Sequence, residues 1–111
     1  MNMESIVILG ATPSSEALVQ QLLKLNISIT LIDDEQEKLS YFDEKYDVVT
    51  IQGHASHPAT LSNTLNQNTS FFIAMSDSDE TNLLACQIAK SLYATRSICC
   101  IHNSSYVSDT Y

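Results

Sequence analysis

Five short apolar runs recur along the chain of 111 residues, and mixed polar segments of helical length separate them. The runs are nearly continuous and rich in Ile, Val and Phe, whereas a half-exposed strand alternates apolar and polar residues. Continuous runs are typical of strands that are covered on both faces of a parallel sheet. We therefore predict five parallel strands, at residues 6–9, 27–32, 48–51, 71–75 and 98–101.

The segments between the runs carry apolar residues at helical spacing. Ala85 and Ala89 lie beside the last of these stripes, where small side chains let a helix approach a sheet or a partner chain. Pro58 suits the first position of a helix, which predicts a short additional helix over residues 58–64. The three stripes predict three amphipathic helices, through Leu18, Leu22 and Leu25, through Leu39, Phe42 and Tyr46, and through Leu84, Ile88 and Leu92.

The alternation of strands and helices predicts the fold class. Parallel strands joined by right-handed helical crossovers form a sheet with helices on both of its faces. We predict a single α/β domain with a doubly wound, Rossmann-like parallel sheet, in three layers. The length agrees with this prediction, because single domains usually contain roughly 100–150 residues.

Composition and charge exclude several classes of protein. The chain has 13 acidic and 5 basic residues and a formal net charge of -8, whereas nucleic-acid binding needs clustered Lys and Arg. Because of this acidic charge we expect no nucleic-acid partner. No apolar stretch reaches 18 residues, so we also expect no direct membrane insertion. The N-terminus lacks the basic start of a signal peptide, and Cys86, Cys99 and Cys100 are predicted to be the buried, reduced thiols of a cytoplasmic protein.

The first strand opens onto a helix at the place of a Rossmann glycine loop. Such a loop uses one glycine for the tight turn, a second for the approach of a pyrophosphate and a third for helix packing. Here Gly10 fills the first position, while Thr12 and Ser15 fill the other two. Pro13 forces Thr12 toward extended geometry, which makes Thr12 the predicted N-cap. Phosphate binding at this helix N-terminus and an ordinary capped helix are both open interpretations.

Asp33 ends the second strand, 23 residues after Gly10. A carboxylate there can accept two hydrogen bonds from a ribose diol and would repel a 2′-phosphate, which favours NAD or an adenine nucleotide over NADP. The alternative is that Asp33 begins an acidic helix, where carboxylates interact favourably with the helix dipole. Residues 33–47 contain seven acids and two lysines, and we interpret most of this run as a solvated helix face.

Other polar clusters follow the third and fourth strands. His54 and His57 suggest zinc, as do Cys100 and His102, but a zinc site needs three or four convergent ligands. No second pair stands at ligand spacing, so we expect no metal. Residues 75–82 have the caps and acids of a helix start, and they also lie at the carboxyl edge where doubly wound folds bind ligands. The Gly-x-Ser-x-Gly turn of a serine hydrolase is absent from the sequence.

Four segments occur together in one order and spacing. They are Ile-Val-Ile-Leu-Gly-Ala at 6–11, Leu-Ile-Asp at 31–33, Gly-His-Ala-Ser-His-Pro at 53–58 and Ser-Asp-Glu-Thr-Asn-Leu-Leu-Ala-Cys-Gln-Ile-Ala at 78–89. With them the chain resembles the nucleotide-binding N-terminal domain of Trk-type potassium-uptake regulatory proteins, a module also found in regulators of potassium conductance. The resemblance covers residues 5–107, and its last two segments are the most specific.

The resemblance implies a cytoplasmic, non-catalytic domain that binds NAD(H) or an adenine nucleotide (AMP, ADP or ATP). It also implies that the domain forms a homo-oligomer and controls a membrane potassium transporter, through which it is peripheral to the inner membrane. The assembly surface is expected on the last helix, at its Ala85 and Ala89 edge.

The family's binding residues carry over position by position. Gly10 and Ala11 match the phosphate loop, and Asp33 matches the ribose-binding acid. Thr12, Ser15 and His54 depart from the family pattern. The residues around the adenosine half of the pocket therefore match that pattern better than the residues around the pyrophosphate half. The predicted cofactor-binding site consists of Gly10, Ala11, Thr12, Asp33, Gly53, His54, Ala55, Ser76 and Asp77.

Two other interpretations remain open. A ligand-free assembly scaffold of the same fold is favoured by Thr12, Pro13 and Glu16 at the degraded loop. The third interpretation, a fragment of an NAD-dependent dehydrogenase, is less favoured, because 111 residues leave no room for a substrate domain. We expect the domain at 1–111 to be excised from a longer chain, with residues 103–111 as the start of a truncated C-terminal segment.

Overall fold

The computed structural model describes residues 4–55, 57–93 and 96–103. Ser56 and the predicted C-terminal segment from residue 104 onward lie outside the described residues. No helix within the described ranges has the length and apolar character needed to cross a membrane. In these ranges five strands and four helices alternate as predicted, namely β1 (Ser5–Leu9), α1 (Pro13–Lys24), β2 (Ser28–Asp33), α2 (Gln36–Lys45), β3 (Val49–Gln52), α3 (Pro58–Thr64), β4 (Thr69–Ala74), α4 (Asp79–Ser91) and β5 (Arg96–Cys99).

The strands form one sheet in the order β3-β2-β1-β4-β5, and every neighbouring pair is parallel. The chain therefore starts at the centre, builds outward through β2 and β3, and then returns to place β4 on the other side of β1. At such a switch point the connections leave the carboxyl ends of two neighbouring strands toward opposite faces, which opens a crevice. The predicted doubly wound sheet is confirmed.

The core lies in two layers, one on each face of the sheet. Ile6 and Ile8 of β1 belong to the layer under α1 and α2, and Val7 and Leu9 belong to the layer under α3 and α4. Both faces of β1 are thus buried, which explains why its sequence is a continuous apolar run. The helices cover these layers with Val19, Leu39 and Phe42 on one face and with Leu61, Ala85 and Ala89 on the other.

Two of the predicted helical stripes are partly wrong. Leu25 is 69% exposed, because α1 has ended and the chain turns at Asn26 with a positive φ of 61°. Leu84 is 45% exposed, whereas its neighbours Ala85 and Ala89 are fully buried. The small side chains bring α4 close to the sheet, so this edge belongs to the core, and the prediction of an assembly surface at Ala85 and Ala89 is wrong.

The three cysteines are free thiols. Cys86 on α4 is buried, as predicted, whereas Cys99 and Cys100 are only half-buried. Burial raises the pKa of the Cys86 thiol to about 12. Because the thiolate is the reactive form of cysteine, this environment keeps Cys86 unreactive near neutral pH.

Candidate functional site

A cleft of about 180 Å³ opens at the carboxyl edge of the sheet, where the loops after β1, β2, β3 and β4 meet. One of the nine predicted site residues, Ala11, does not line the cleft. It is buried beside the cleft, and its N–H donates to Asp33. The structure thus brings the predicted residues together, while their role in binding a ligand stays a prediction. Eight of the nine line the cleft directly, namely Gly10, Thr12, Asp33, Gly53, His54, Ala55, Ser76 and Asp77.

Gly10 lies where the chain leaves β1 and passes under the tip of β4. Its φ is +109°, which L-residues rarely adopt. A Cβ at this position would lie 2.7 Å from both the Cα and the backbone nitrogen of Ser76. Because the obstacle is backbone, the close approach of the two loops requires a glycine here.

Gly53 has a comparable place at the end of β3. Its N–H donates to the backbone carbonyl of Asp33 at 3.0 Å, which continues the pairing of β3 with β2. A Cβ at Gly53 would lie 2.7 Å from Cγ2 of Thr60 on α3. The missing side chain therefore lets α3 pack against the wall of the cleft.

Asp33 is a buried carboxylate, 8% exposed, at the end of β2. Its Oδ2 accepts the N–H of Ala11 at 2.8 Å, and its Oδ1 accepts the N–H of Glu35 at 2.8 Å. Asp33 therefore braces the loop after β1 and also supports the start of α2. A carboxylate has about four lone-pair positions, so two backbone bonds leave capacity for the hydroxyls of a ribose.

Thr12 is the N-cap of α1, as predicted, and it forms a reciprocal capping box with Ser15. Thr12 Oγ1 accepts the Ser15 N–H at 3.1 Å, and Ser15 Oγ accepts the Thr12 N–H at 2.8 Å. Ser15 is fully buried and also donates its hydroxyl to the Thr12 carbonyl at 2.9 Å. The two residues that replace glycines thus satisfy each other.

The remaining amides of the loop are engaged in the same way. The Gly10 N–H donates to the carbonyl of Ile32 at 2.8 Å, the Ala11 N–H donates to Asp33, and Pro13 has no N–H to offer. In a Rossmann glycine loop these amides point toward a pyrophosphate. Here the loop is closed by contacts within the protein.

The tip of β4 is fixed by Asn82, a fully buried side chain on α4. Its Oδ1 accepts the N–H and the hydroxyl of Ser76 at 2.9 and 2.7 Å. Its Nδ2 donates to the carbonyls of Ser76 and Cys100 at 3.0 and 2.9 Å. Sequence reasoning missed this role, although an Asn among the buried positions of a helix is a usable signal, since a buried amide needs partners.

The first turn of α4 also borders the cleft, with Ser78 and Thr81 among its lining residues. Ser78 is the N-cap and accepts the Thr81 N–H at 3.2 Å, which confirms the predicted helix start. Asp79 holds the chain after β5 by accepting the N–H groups of His102 and Asn103 at 2.8 and 2.7 Å. These hydrogen bonds, the His102 amide first, lower the pKa of Asp79.

Lys38 on α2 lines the cleft, and sequence reasoning missed it by assigning its segment to a solvated helix face. Its Nζ lies 2.8 Å from Oε2 of Glu35. This hydrogen bond raises the pKa of Lys38, and the charges of Asp33 and Asp77 add smaller contributions. Of the five basic residues in the chain, Lys38 is the only one among the described lining residues. No local sequence signal identifies Lys38, because its approach to the cleft depends on how α2 packs on the sheet.

A second groove of about 470 Å³ lies between the first turns of α1 and α2, and Thr12 and Lys38 line both it and the cleft. Glu16 crosses between the helices and accepts the hydroxyls of Tyr41 and Tyr46 at 2.8 and 2.6 Å. These hydrogen bonds, that of Tyr46 first, lower the pKa of Glu16. The carboxylate in the first turn of α1 is thus hydrogen-bonded to side chains of α2 and of its C-cap.

The histidines considered as zinc ligands lie beside one another or beside a carboxylate. The ring centroids of His54 and His57 are 5.4 Å apart, and Nδ1 of His102 lies 2.9 Å from Oδ1 of Asp79. Across residues 4–55, 57–93 and 96–103, no group of three or more His, Cys, Asp or Glu side chains is placed to hold a metal ion.

The cleft has the chemistry of a site for a polar organic ligand. Asp33 offers acceptors for a diol, and Gly10 and Gly53 keep the walls free of side chains. Its volume is below the roughly 300–1,000 Å³ of pockets that enclose a drug-sized ligand, so a nucleotide would be held at one part and remain open at another. The residues present fit an adenosine ribose, whereas the loop after β1 does not offer its amides to a pyrophosphate.

Comparison with known proteins places these features in a family context. The TrkA-N domain family model matches residues 6–110. The Trk system potassium uptake protein TrkA of Vibrio alginolyticus is 38% identical over 90 residues, which are 81% of this chain and 20% of that protein. The protein of the same name from Haemophilus influenzae is 34% identical over 105 residues, which are 94% of this chain and 23% of that protein. The chain thus spans about a fifth of the length of these relatives.

A solved structure provides the comparison for the fold. The NAD(P)-binding domain of an exopolyphosphatase-related protein from Archaeoglobus fulgidus superposes with a TM-score of 0.83 at 13% sequence identity. The match covers 94% of this chain and 77% of that chain. At this identity the similarity concerns the fold alone, and it confirms the predicted Rossmann-like architecture.

Proposed function

Because the chain belongs to the TrkA-N domain family, we propose that it is a regulatory domain of a Trk-type potassium uptake system. In this role it binds NAD(H) or an adenine nucleotide (AMP, ADP or ATP) in the cleft. The bound ligand controls a membrane potassium transporter, to which the domain attaches at the cytoplasmic side of the inner membrane. The role is binding and regulation, without a catalytic step.

The position of Asp33 is the observation that supports this proposal best. Its carboxylate lines the cleft at the switch point of the sheet, where doubly wound folds bind nucleotides. In the proposed complex Asp33 accepts the ribose hydroxyls, and Gly53, His54 and Ala55 border the adenine. Ser76 and Asp77 form the opposite wall.

Regulation requires that the ligand distinguishes two arrangements of the assembled domains, because only a difference in affinity shifts an equilibrium. A coupling of about 1–3 kcal/mol is typical of such systems. We propose that copies of the domain assemble, and the exposure of Leu83 and Leu84 on α4 and Ile98 on β5 supports this. Light scattering on the isolated chain tests the assembly directly.

Ligand titration tests the proposed site. NAD⁺, NADH, AMP, ADP and ATP would each be titrated by calorimetry and by thermal shift, and at least one is expected to bind and stabilise the chain. Asp33→Asn keeps one oxygen acceptor for the Ala11 amide but removes the charge and the second acceptor. We expect it to weaken binding about tenfold, because hydrogen bonds to charged groups contribute about 1.5–3 kcal/mol.

Asp43→Asn is the matched control, since Asp43 is an exposed acid on α2 that does not line the cleft. It removes the same charge and should leave the affinity unchanged. Equal affinities for the native chain and Asp33→Asn would show that Asp33 is not the ribose acceptor.

A ligand-free assembly scaffold is the second candidate function. The closed loop after β1 favours it, since the amides that would meet a pyrophosphate are engaged within the protein. A chain that self-associates, and whose melting temperature none of the five nucleotides changes, would support the scaffold. Turnover of a bound nicotinamide cofactor would instead favour the dehydrogenase fragment.

A further inference from the structure

A nucleotide in the cleft needs a partner for its phosphate, and the loop after β1 offers few donors. The amides of residues 10, 11, 12, 15 and 16 all donate to acceptors within the protein. Pro13 has no N–H, so the amide of Ser14 remains in the first turn of α1. An anion at this helix end would therefore need a donor from another element.

Lys38 is placed to be that donor. It lines the cleft from α2, and with Thr12 it also lines the neighbouring groove, so its side chain borders the N-terminus of α1. The other charged side chains along the cleft are the carboxylates of Asp33, Asp34 and Asp77. Without Lys38, this acidic surface would repel a phosphate.

The present partner of Lys38 is easily exchanged. The side chains of Lys38 and Glu35 are 43% and 59% exposed, and Glu35 is the N-cap of α2, three residues before Lys38. Exposed pairs of this kind contribute only about 0.2–1 kcal/mol. A phosphate oxygen beside the ammonium can therefore replace the Glu35 carboxylate at little cost and form a charge-assisted hydrogen bond.

We propose that Lys38 is the specificity-determining residue that contacts the phosphate of the nucleotide, in place of the amides of a glycine loop. The inference rests on the proposed function and adds to it the group that distinguishes a nucleotide from a nucleoside. Asp33 holds the ribose in both cases, whereas Lys38 interacts only with the phosphorylated ligand.

The test compares adenosine with AMP, which differ by the phosphate alone, by calorimetric titration of the native chain and of four variants. Lys38→Gln should weaken AMP binding about tenfold and change adenosine binding by less than about twofold. Lys38→Arg, which keeps the charge, should retain AMP. Lys24→Gln, in the last turn of α1, removes one charge away from the cleft and should change neither ligand.

Glu35→Gln gives a prediction of opposite sign. It removes the carboxylate that competes for the ammonium, so AMP should bind more tightly, while adenosine is unaffected. The AMP affinity of the native chain should fall with added salt more steeply than that of Lys38→Gln. Thermal unfolding of each variant checks whether these exposed substitutions leave the fold intact.

The outcomes separate this inference from the proposed function. If Lys38→Gln weakens adenosine as much as AMP, or weakens neither, Lys38 does not read the phosphate and the inference is wrong. A loss of AMP affinity in Lys24→Gln as large as in Lys38→Gln would also overturn it, since only the net charge would then matter. If neither adenosine nor any of NAD⁺, NADH, AMP, ADP and ATP binds the native chain, the proposed function fails and the inference with it.

Discussion

Gly10 and Gly53 are the two glycines of the chain, and both lie along the cleft for different physical reasons. At Gly10 the backbone itself has a conformation that other residues rarely adopt, and the obstacle to a side chain is the backbone of Ser76. At Gly53 the obstacle is the methyl group of Thr60. No side-chain substitution can relieve the clash at Gly10, whereas a smaller side chain at residue 60 can relieve the clash at Gly53.

We predict that Gly10→Ala destabilises the domain by more than about 2 kcal/mol. A positive φ costs an L-residue roughly 1–2 kcal/mol, and the clash with Ser76 adds to this. Urea unfolding followed by circular dichroism measures the loss. Equal stability of Gly10→Ala and the native chain would mean that the close approach of the two loops is wrong.

Gly53→Ala serves as the comparison, and it should cost less. Replacing Thr60 by Ser in the same chain removes Cγ2, the nearest atom to the added methyl group, and should restore part of the loss. No change at Ser76 can restore Gly10→Ala in this way, because the contact there is with Cα and N.

The sequence predicted single residues well where local chemistry decides. The position of Thr12 directly before Pro13 was enough to identify it as an N-cap. The position of Asp33 at the end of a strand was enough to place it in the cleft. Lys38 could not be predicted, because its approach to the cleft depends on how α2 packs on the sheet. The same limit applies to the Ala11 amide, whose acceptor on Asp33 comes from another strand.

At the scale of elements, one carboxylate joins α1 to α2. Glu16 accepts hydrogen bonds from Tyr41 and Tyr46, and Lys45 approaches the same carboxylate at 3.6 Å. Lys45 also donates to the Tyr41 hydroxyl at 2.9 Å and lies over its ring. The network keeps the two helices of one face together beside the cleft.

We predict that this network makes stability depend on pH. The hydrogen bonds lower the pKa of Glu16 in the folded chain below its ordinary value of 4.5. Its contribution is therefore complete above pH 4.5 and is lost as the pH falls through the lowered pKa. Urea midpoints should show the native chain to be more stable than Glu16→Gln at pH 7, with a difference that shrinks below pH 4.5.

Glu44→Gln removes a charge from the exposed surface of α2 and is the control for that experiment. Its stability relative to the native chain should vary less with pH than that of Glu16→Gln. A constant difference between the native chain and Glu16→Gln from pH 7 to pH 3 would contradict the role given to the carboxylate.

The elements themselves could be predicted because apolar runs mark strands. The central strand β1 is buried on both faces, as its run predicts, whereas the edge strands β3 and β5 are partly exposed. Pro58 likewise located the start of α3 correctly. The buried face of α4 could not be assigned from Leu84, because the helix approaches the sheet through Ala85 and Ala89 and leaves the larger side chain outside. From hydrophobicity alone a leucine is expected to be more buried than an alanine. Here the short distance between α4 and the sheet leaves room only for alanine, so the alanines are buried and Leu84 is exposed.

At the scale of the whole molecule, we predict that Cys86 reports global unfolding. Its pKa rises from an ordinary value of 9.0 to about 12, so the thiolate fraction near neutral pH falls about a thousandfold. Labelling with a maleimide at pH 8 should therefore modify Cys86 only through opening of the fold. Mass spectrometry of the peptides separates it from Cys99 and Cys100, which are half-buried and should react earlier.

The same shift has a consequence for alkaline stability. Burial favours the neutral thiol, so the stabilisation from burying Cys86 is complete below pH 9 and is lost as the pH rises toward 12.

In the maleimide experiment, labelling of the urea-unfolded chain gives the reference rate for an exposed cysteine. If native Cys86 reacts at pH 8 as fast as Cys100, its burial between α4 and β5 is wrong.

The strand order divides the molecule into two halves that are each continuous in sequence. Residues 4–55 supply β1, β2 and β3, and residues 57–103 supply β4 and β5, so within the sheet the halves meet only where β1 pairs with β4. Gly10 and Asp33 come from the first half, and Ser76 and Asp77 come from the second. A ligand bound there would link the two halves of the sheet, so its binding energy would oppose their separation and make unfolding of the domain more cooperative.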